Sequence, residues 1–98
     1  MIKYDKKQRN KIYIRDKFTC RVCGKGAGHI HHIIYRSHSG SNDERNLIAL
    51  CSRCHTRCHN DESKWREILL NMQYEIYGRF DIRVIKKQDR YINFKFRK

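Results

Sequence analysis

The chain has 98 residues, which suits a single domain, and a chain this short buries only about two-thirds of the surface that its unfolded form exposes. It carries a formal net charge of +13 and five cysteines, an odd number that argues against a disulfide framework. No apolar run is long enough to span a membrane, and the first seven residues hold no apolar signal-peptide stretch. We therefore expect a cytoplasmic protein whose reduced thiols bind metal.

The positive charge is concentrated at the two ends of the chain. Residues 1–25 carry nine Lys/Arg against two Asp, and residues 79–98 carry eight against two, whereas the stretch between them is neutral overall. This polarised pattern favours a polyanionic partner, and hence nucleic acid, over a surface on which surplus lysine only maintains solubility.

The first half of the chain predicts one helix and a strand with a short return. Residues 5–17 are expected to be helical, with Ile12 and Tyr13 facing inward. Residues 20–24 predict a metal-binding turn, and residues 29–35, rich in β-branched and aromatic side chains, predict a strand. A polar loop at 37–43 leads to a short turn or strand at 46–50.

The second half predicts two helices and two strands. The first helix begins with Ser52 as its N-cap, and the second starts near Asn60 and ends before Gly78. Apolar residues recur at helical spacing in the second helix and are expected to face the core: Trp65, Ile68, Leu69, Met72 and Ile76. Residues 82–86 and 91–97 predict two strands of a C-terminal hairpin.

Two Cys-x-x-Cys pairs offer four thiolates for a structural metal. Cys20 and Cys23 form one pair, and Cys51 and Cys54 form the other, for which tetrahedral zinc is the expected ion. The separation of the pairs indicates that folded structure lies between them. Cys58 can pack as a small apolar residue or compete as a ligand, and we prefer packing. A zinc-stapled binding module with spare histidines is the alternative to an active site.

Four histidines stand at spacings that one metal centre can use. His55 and His59 are four residues apart, so a helix places both imidazoles on one face. His31 and His32 are adjacent on the predicted strand and should point to opposite faces. One of them can then join a metal ion while the other takes a different role.

Residues 20–59 resemble the HNH endonucleases. The resemblance is carried by Cys-x-x-Cys, His31-His32-Ile33, Asn46-Leu47-Ile48 and Cys51-x-x-Cys54-His55, in that order. With the predicted flanking elements it implies an α+β fold: a small, treble-clef-like ββα-metal domain with a structural zinc held by four cysteines, flanking helices and a C-terminal β-hairpin. The single domain, residues 1–98, would comprise the motif core 20–59, a basic arm 1–19, and a helix and hairpin in 60–98.

The resemblance also implies a metal-dependent DNA endonuclease or nickase that hydrolyses phosphodiester bonds. His32 would be the general base, His31 and His55 metal ligands, and Asn46 a support for the base-bearing strand. His59 matches a third metal histidine of the nuclease colicins. Family members often have proline where this chain has Tyr35. The expected cofactors are a structural Zn²⁺ and one catalytic Mg²⁺, Mn²⁺, Ni²⁺ or Zn²⁺, and imidazole ligands favour the last three.

DNA, expected to be double-stranded, is the predicted partner of the basic arms and of two arginines near the motif. The predicted DNA contacts are Lys6, Lys7, Arg9, Lys11, Arg15, Arg36, Arg53, Arg83, Lys86, Lys87, Arg90, Lys95 and Arg97. The alternative functions are a zinc-stabilised nucleic-acid-binding module without catalysis and a protein-interaction domain, which the polarised charge disfavours. The protein would act as a monomer or homodimer, and standalone family members occur in phages, restriction systems and mobile elements.

Overall fold

The computed structural model describes residues 6–87, so the predicted strand 91–97 and the cations Arg90, Lys95 and Arg97 lie outside it. Its three helices are α1 (Lys6–Arg15), α2 (Ser52–Asn60) and α3 (Glu62–Tyr77), and its two strands are β1 (His29–His32) and β2 (Leu47–Leu50). Short 3-10 helices occupy Arg36–His38, Glu44–Asn46 and Ile82–Ile85. The predicted α+β character is confirmed, and β1 ends three residues earlier than predicted.

β1 and β2 form a two-stranded antiparallel sheet whose register decides where the adjacent histidines point. His31 pairs with Ile48 and His32 pairs with Leu47. Paired residues of antiparallel strands project from the same face. Ile48 belongs to the main core cluster, whereas Leu47 is buried outside that cluster. The two histidines therefore project from opposite faces, as the sequence predicts.

Helices cover both faces of the sheet. α1 packs against β2, and α2 packs against both strands and against α3. All four residues of β2 are therefore completely buried, and Ile12 anchors α1 beside them. The main core lies between the sheet, α2 and α3, and includes Ile33, Ile48, Leu50, Cys54, Cys58, Leu69 and Ile85. Within residues 6–87, none of the helices has the length and apolar character needed to cross a bilayer.

The start of α2 differs by one residue from the prediction. Cys51, not Ser52, is its N-cap, and the Cys51 sulfur accepts a hydrogen bond from the backbone N–H of Cys54 at 3.4 Å. The cysteine thus satisfies one of the unpaired N–H groups of the first turn, a task that serine usually performs.

The buried face of α3 is rotated relative to the predicted apolar stripe. Leu69 is buried as expected, but Ile76 is 48% exposed, while Leu70 and Gln73 are buried. Gln73 explains the rotation, because its amide donates to the carbonyl of Arg45 at 2.9 Å. A polar side chain with partners across the core takes a place that hydrophobic spacing assigns to apolar residues.

The strand predicted at 82–86 is wrong. Residues Ile82–Ile85 form a 3-10 helix, and Lys86 makes an isolated antiparallel bridge with Gly40. The Asp81 carboxylate accepts from the backbone N–H of Arg83 at 2.9 Å and caps this turn. An aspartate in this position competes for the backbone donors that a strand would use, which accounts for the turn.

Candidate active site and metal centre

Four cysteine sulfurs converge beside the N-terminus of α2. Cys20 and Cys23 lie in a tight turn that Gly24 closes with φ 83°, donating its N–H to the carbonyl of Cys20 at 2.8 Å. All four sulfurs lie within 4.8 Å of one another. The Cys23–Cys51 distance is 3.6 Å. Two sulfurs bound to one tetrahedral zinc would be about 3.8 Å apart, since Zn–S bonds measure about 2.3 Å. The donor set and its spacing therefore fit zinc.

Cys51 and Cys58 lie in different surroundings, although burial also raises the pKa of another clustered thiol, Cys54, to about 12. The N–H of Cys54 and the neighbouring thiols lower the pKa of Cys51 to about 6, which favours the thiolate that a metal requires. Burial raises the pKa of Cys58 to about 11, and that side chain is only 1% exposed within the core. Cys58 also lies outside the four-sulfur group, so its predicted packing role is confirmed.

Three histidines from two elements form a second group of atoms that is able to hold a metal ion. β1 supplies His31, and α2 supplies His55 and His59, whose ring nitrogens all lie within 4.8 Å of one another. The Nε2 atoms of His55 and His59 are 3.2 Å apart. Two nitrogens at about 2.0–2.1 Å from one tetrahedral ion would be separated by about 3.3 Å. These three imidazoles can hold one transition-metal ion that prefers nitrogen ligands, such as Zn²⁺ or Ni²⁺.

The surroundings of His31 and His55 keep both of these imidazoles neutral. Burial first, and then the neighbouring His55 and His59, lower the pKa of His31 to about 3. Burial, His59 and His29 lower the pKa of His55. A neutral imidazole keeps a lone pair for a metal ion, so the rings of His31 and His55 can act as ligands at neutral pH.

His32 lies on the other face of the sheet and contacts a residue that sequence reasoning did not single out. Its Nε2 is 2.9 Å from the side-chain oxygen of Asn42. Burial lowers the pKa of His32, the Asn42 hydrogen bond acts in the opposite direction, and the charges of Arg36 and Lys87 lower it further. His32 is therefore neutral at neutral pH. Asn42 was predicted only as part of a polar loop, because no local spacing links it to His32.

The loop that carries Asn42 is also attached to α1. The side-chain amide of Gln8 donates to the backbone carbonyl of Asn42. The basic helix and the surroundings of His32 are thus connected through one loop residue.

Asn46 extends the pairing of the two strands past the end of β1. It is completely buried, and its side chain pairs with the backbone of Ile34 in both directions: Oδ1 accepts from the N–H at 2.7 Å, and Nδ2 donates to the carbonyl at 3.1 Å. Nδ2 also donates to the carbonyl of Ser41 at 2.9 Å. These bonds anchor the chain segment that follows His32.

The predicted DNA-contacting cations that the structure describes lie in several places. On α1, Lys6, Lys7, Arg9 and Lys11 are exposed, as are Arg53 on α2, Arg36 in the first 3-10 helix, and Lys86 and Lys87 after the last one. Arg36 and Lys87 act electrostatically on His32. Arg83 is 84% exposed but pairs with Asp81 at 2.8 Å. α1 contacts the loop of Asn42, which is the hydrogen-bond partner of His32. The cations of α1 therefore belong to the same side of the protein as Arg36 and Lys87, which act on His32.

Arg15 is a correction to the predicted DNA contacts. Its guanidinium donates to both carboxylate oxygens of Asp16, to the hydroxyl of Tyr77 and to the backbone carbonyls of Glu44 and Leu47, at 2.7–3.1 Å. An arginine has five N–H donors, and all five are used inside the protein. Arg15 therefore stabilises the fold and has no donor left for a phosphate.

Comparison with known proteins shows which family the part of the chain with these groups resembles. The family model described as HNH endonuclease matches residues 20–61, a range that contains both metal-binding groups and His32. The chain is also similar to anaredoxin of Nostoc sp. strain PCC 7120, with 35% identity over 63 residues, covering 60% of this chain and 80% of that protein. The name of that relative states no reaction.

Proposed function

The chain belongs to the HNH endonuclease family, and from this membership and the site geometry we propose that it hydrolyses phosphodiester bonds of double-stranded DNA. The observation that carries the proposal is the arrangement at the end of β1. Three histidines that can share one ion lie on one face of the sheet, and His32, the next residue after His31, lies on the other. Four cysteines form a separate group, which leaves the histidines for the reaction.

His32 would act as the general base. The Asn42 side-chain oxygen can only accept a hydrogen bond, so the neutral ring carries its proton on Nε2, and Nδ1 is the nitrogen that takes a proton from the attacking water. The charges of Arg36 and Lys87 near His32 suit a phosphate oxygen brought to this place. Asn46 would keep His32 in position through its bonds to Ile34.

His31, His55 and His59 would hold the catalytic ion. When bound, a divalent cation supplies positive charge to the phosphoryl oxygens as negative charge develops on them. Cys20, Cys23, Cys51 and Cys54 would hold a structural zinc that keeps α2, and therefore His55 and His59, against the sheet. This division explains why soft thiolates and imidazoles occur as separate sets in one short motif.

Cleavage of supercoiled plasmid DNA tests the proposal. Wild-type protein is expected to produce nicked or linear DNA with at least one of Mg²⁺, Mn²⁺, Ni²⁺ and Zn²⁺. Cleavage should stop when a chelator removes that ion. We expect His32→Ala to lower the cleavage rate by about 10²–10⁴-fold, because it removes only the base. Zinc content and DNA affinity should stay unchanged.

The matched control is His38→Ala, which removes an exposed imidazole outside both ligand groups and should retain wild-type cleavage. Undiminished cleavage by His32→Ala would refute the base assignment. A wild-type protein that retards DNA in a gel but cuts it with none of the four ions would instead be a zinc-stabilised binding module.

A further inference from the structure

Tyr35 contacts two of the three histidines of the proposed metal centre, although it is neither a ligand nor the base. Its ring centroid lies 5.1 Å from that of His59 and 5.7 Å from that of His31. Its hydroxyl oxygen is 3.1 Å from Nδ1 of His59. The contact joins the segment after β1 to the end of α2, across 24 residues of sequence.

The position of His59 makes this contact important. His59 is the penultimate residue of α2, and its side chain is exposed, whereas His31 is buried. A side chain at an exposed helix end keeps several rotamers, and ordering it costs free energy that reduces metal affinity. A partner that restrains the ring before the ion arrives removes much of that cost.

The hydrogen bond also selects the nitrogen that faces the ion. Nε2 of His59 is directed at Nε2 of His55, 3.2 Å away, and is therefore the nitrogen placed for coordination. A neutral imidazole that binds a metal through Nε2 carries its proton on Nδ1 and must donate it. The Tyr35 oxygen lies at hydrogen-bonding distance from Nδ1 and can accept that proton.

We propose that Tyr35 is a positioning residue that makes His59 the third ligand of the metal centre, by accepting the Nδ1–H of His59 and orienting its ring. The inference rests on the proposed function for the existence of that centre. Its consequence is a set of three imidazoles, which selects Zn²⁺, Ni²⁺ or Mn²⁺ over the oxygen-preferring Mg²⁺.

Metal titration without DNA tests this role. The full chain, with its structural zinc retained, is titrated with Co²⁺, whose visible absorption reports the number and type of its ligands. We expect Tyr35→Phe to weaken Co²⁺ binding by about 10- to 100-fold, the usual effect of losing an outer hydrogen-bond partner of a metal-binding histidine. Tyr74→Phe is the matched control, since it removes a hydroxyl from a ring that packs against Phe80, away from the histidines.

A double-mutant cycle separates positioning from general loss of structure. In a His59→Ala background, Tyr35→Phe should have no further effect on affinity, and both His59→Ala and Tyr35→Phe should change the Co²⁺ spectrum toward fewer nitrogen ligands. An unchanged affinity of Tyr35→Phe, or the same loss with and without His59, would overturn the proposal. Far-ultraviolet circular dichroism of each variant establishes that it is folded.

The outcomes also distinguish this inference from the proposed function. If wild type binds Co²⁺ at the histidines and Tyr35→Phe weakens it, but no ion supports cleavage, Tyr35 keeps its role and the nuclease proposal fails. If cleavage is observed and Tyr35→Phe binds Co²⁺ like wild type, only the Tyr35 inference fails. A wild type that binds no ion beyond its structural zinc overturns both.

Discussion

Asp16 is a buried carboxylate held by two arginines, and it connects the end of α1 to β2. Its Oδ1 accepts from Arg15 Nε at 2.7 Å and from Arg21 Nη1 at 3.0 Å. Its Oδ2 accepts from Arg15 Nη2 at 2.8 Å and from the backbone N–H of Ala49 in β2 at 3.0 Å. All of these donors favour the ionised form of the carboxylate, which is itself completely buried.

The pKa of Asp16 follows from opposing effects. Burial would raise it, but the hydrogen bonds from Arg15 and Ala49 and the charges of both arginines outweigh burial and lower it below its ordinary value of 3.8. A carboxylate with a lower pKa in the folded state stabilises the protein fully above its unfolded pKa. That contribution is lost as the pH falls through the folded-state pKa.

We therefore expect Asp16→Asn to lower the free energy of unfolding at neutral pH by roughly 3 kcal/mol, because it leaves buried arginine charge without its partner. The variant should also lose less stability than wild type when the pH falls below about 4. Urea denaturation as a function of pH measures both effects. Asp81→Asn is the control for stability at neutral pH: Asp81 also pairs with an arginine, but its side chain is 51% exposed, and asparagine keeps an oxygen that can cap the turn, so stability should change little. Equal stability of Asp16→Asn and wild type would contradict this role.

At the scale of elements, the connection from β1 to β2 carries side chains that contact His32 and His59. This connection, residues 33–46, carries Tyr35, Asn42 and Asn46. It folds back on itself at Gly40, whose N–H donates to the carbonyl of Tyr35 at 2.8 Å. A Cβ at position 40 would lie 1.7 Å from the carbonyl oxygen of Ile34, so only glycine allows this close approach of backbone to backbone.

We expect Gly40→Ala to destabilise the protein by about 1–3 kcal/mol or more, since the atom it meets is backbone that cannot move aside without shifting the loop. The shift would also displace Tyr35, whose carbonyl accepts from Gly40 and whose hydroxyl contacts His59, so Co²⁺ binding at the histidines should weaken. Gly26→Ala is the matched control, because an added Cβ there meets nothing within 4 Å. Chemical denaturation and Co²⁺ titration of both variants are the measurements. If the two variants behave alike, the close approach at Gly40 does not constrain the loop.

At the scale of the whole molecule, charge and sheet faces together suggest how DNA meets the protein. The net charge of +13 is not spread evenly, and the exposed cations of α1 lie on the helix that contacts the His32 loop through Gln8. By contrast, α3 has a nearly balanced sequence, with three acidic and two basic residues. DNA is therefore expected to lie across α1 and the end of β1.

We expect DNA affinity to fall steeply as the salt concentration rises. In a plot of log affinity against log salt concentration, each contacted phosphate adds about 0.9 to the steepness of the slope. The double substitution Lys6→Gln, Lys7→Gln should make that slope shallower by about two such contacts. Lys64→Gln, a change on α3 where the ammonium lies over the Trp65 ring, is the control and should leave the slope unchanged. Binding titrations at several salt concentrations measure the slopes. A slope that does not depend on Lys6 and Lys7 would place the DNA elsewhere.

Much of the fold and of the site could be predicted because the deciding patterns are local. The spacing of His55 and His59 places both rings on one helical face whatever the rest of the chain does, and the Cys-x-x-Cys pairs specify their ligand type. Alternation along β1 separates His31 from His32 in the same way. The C-terminal strand at 82–86 was wrong because Asp81 caps a turn there, which apolar alternation does not reveal.

The sequence by itself thus determined the ligand chemistry, the division into thiolate and imidazole sets, and the basic character of the ends. Only the tertiary structure decided which partners the other polar residues meet. Arg15 is bound internally, Gln73 rotates α3, Asn42 contacts His32, and Tyr35 reaches His59. Arg15, Gln73 and Tyr35 meet partners 24 or more residues away, and Asn42 meets His32 across a folded loop. Local periodicity carries no information about such contacts, because they depend on how helices and strands pack against one another.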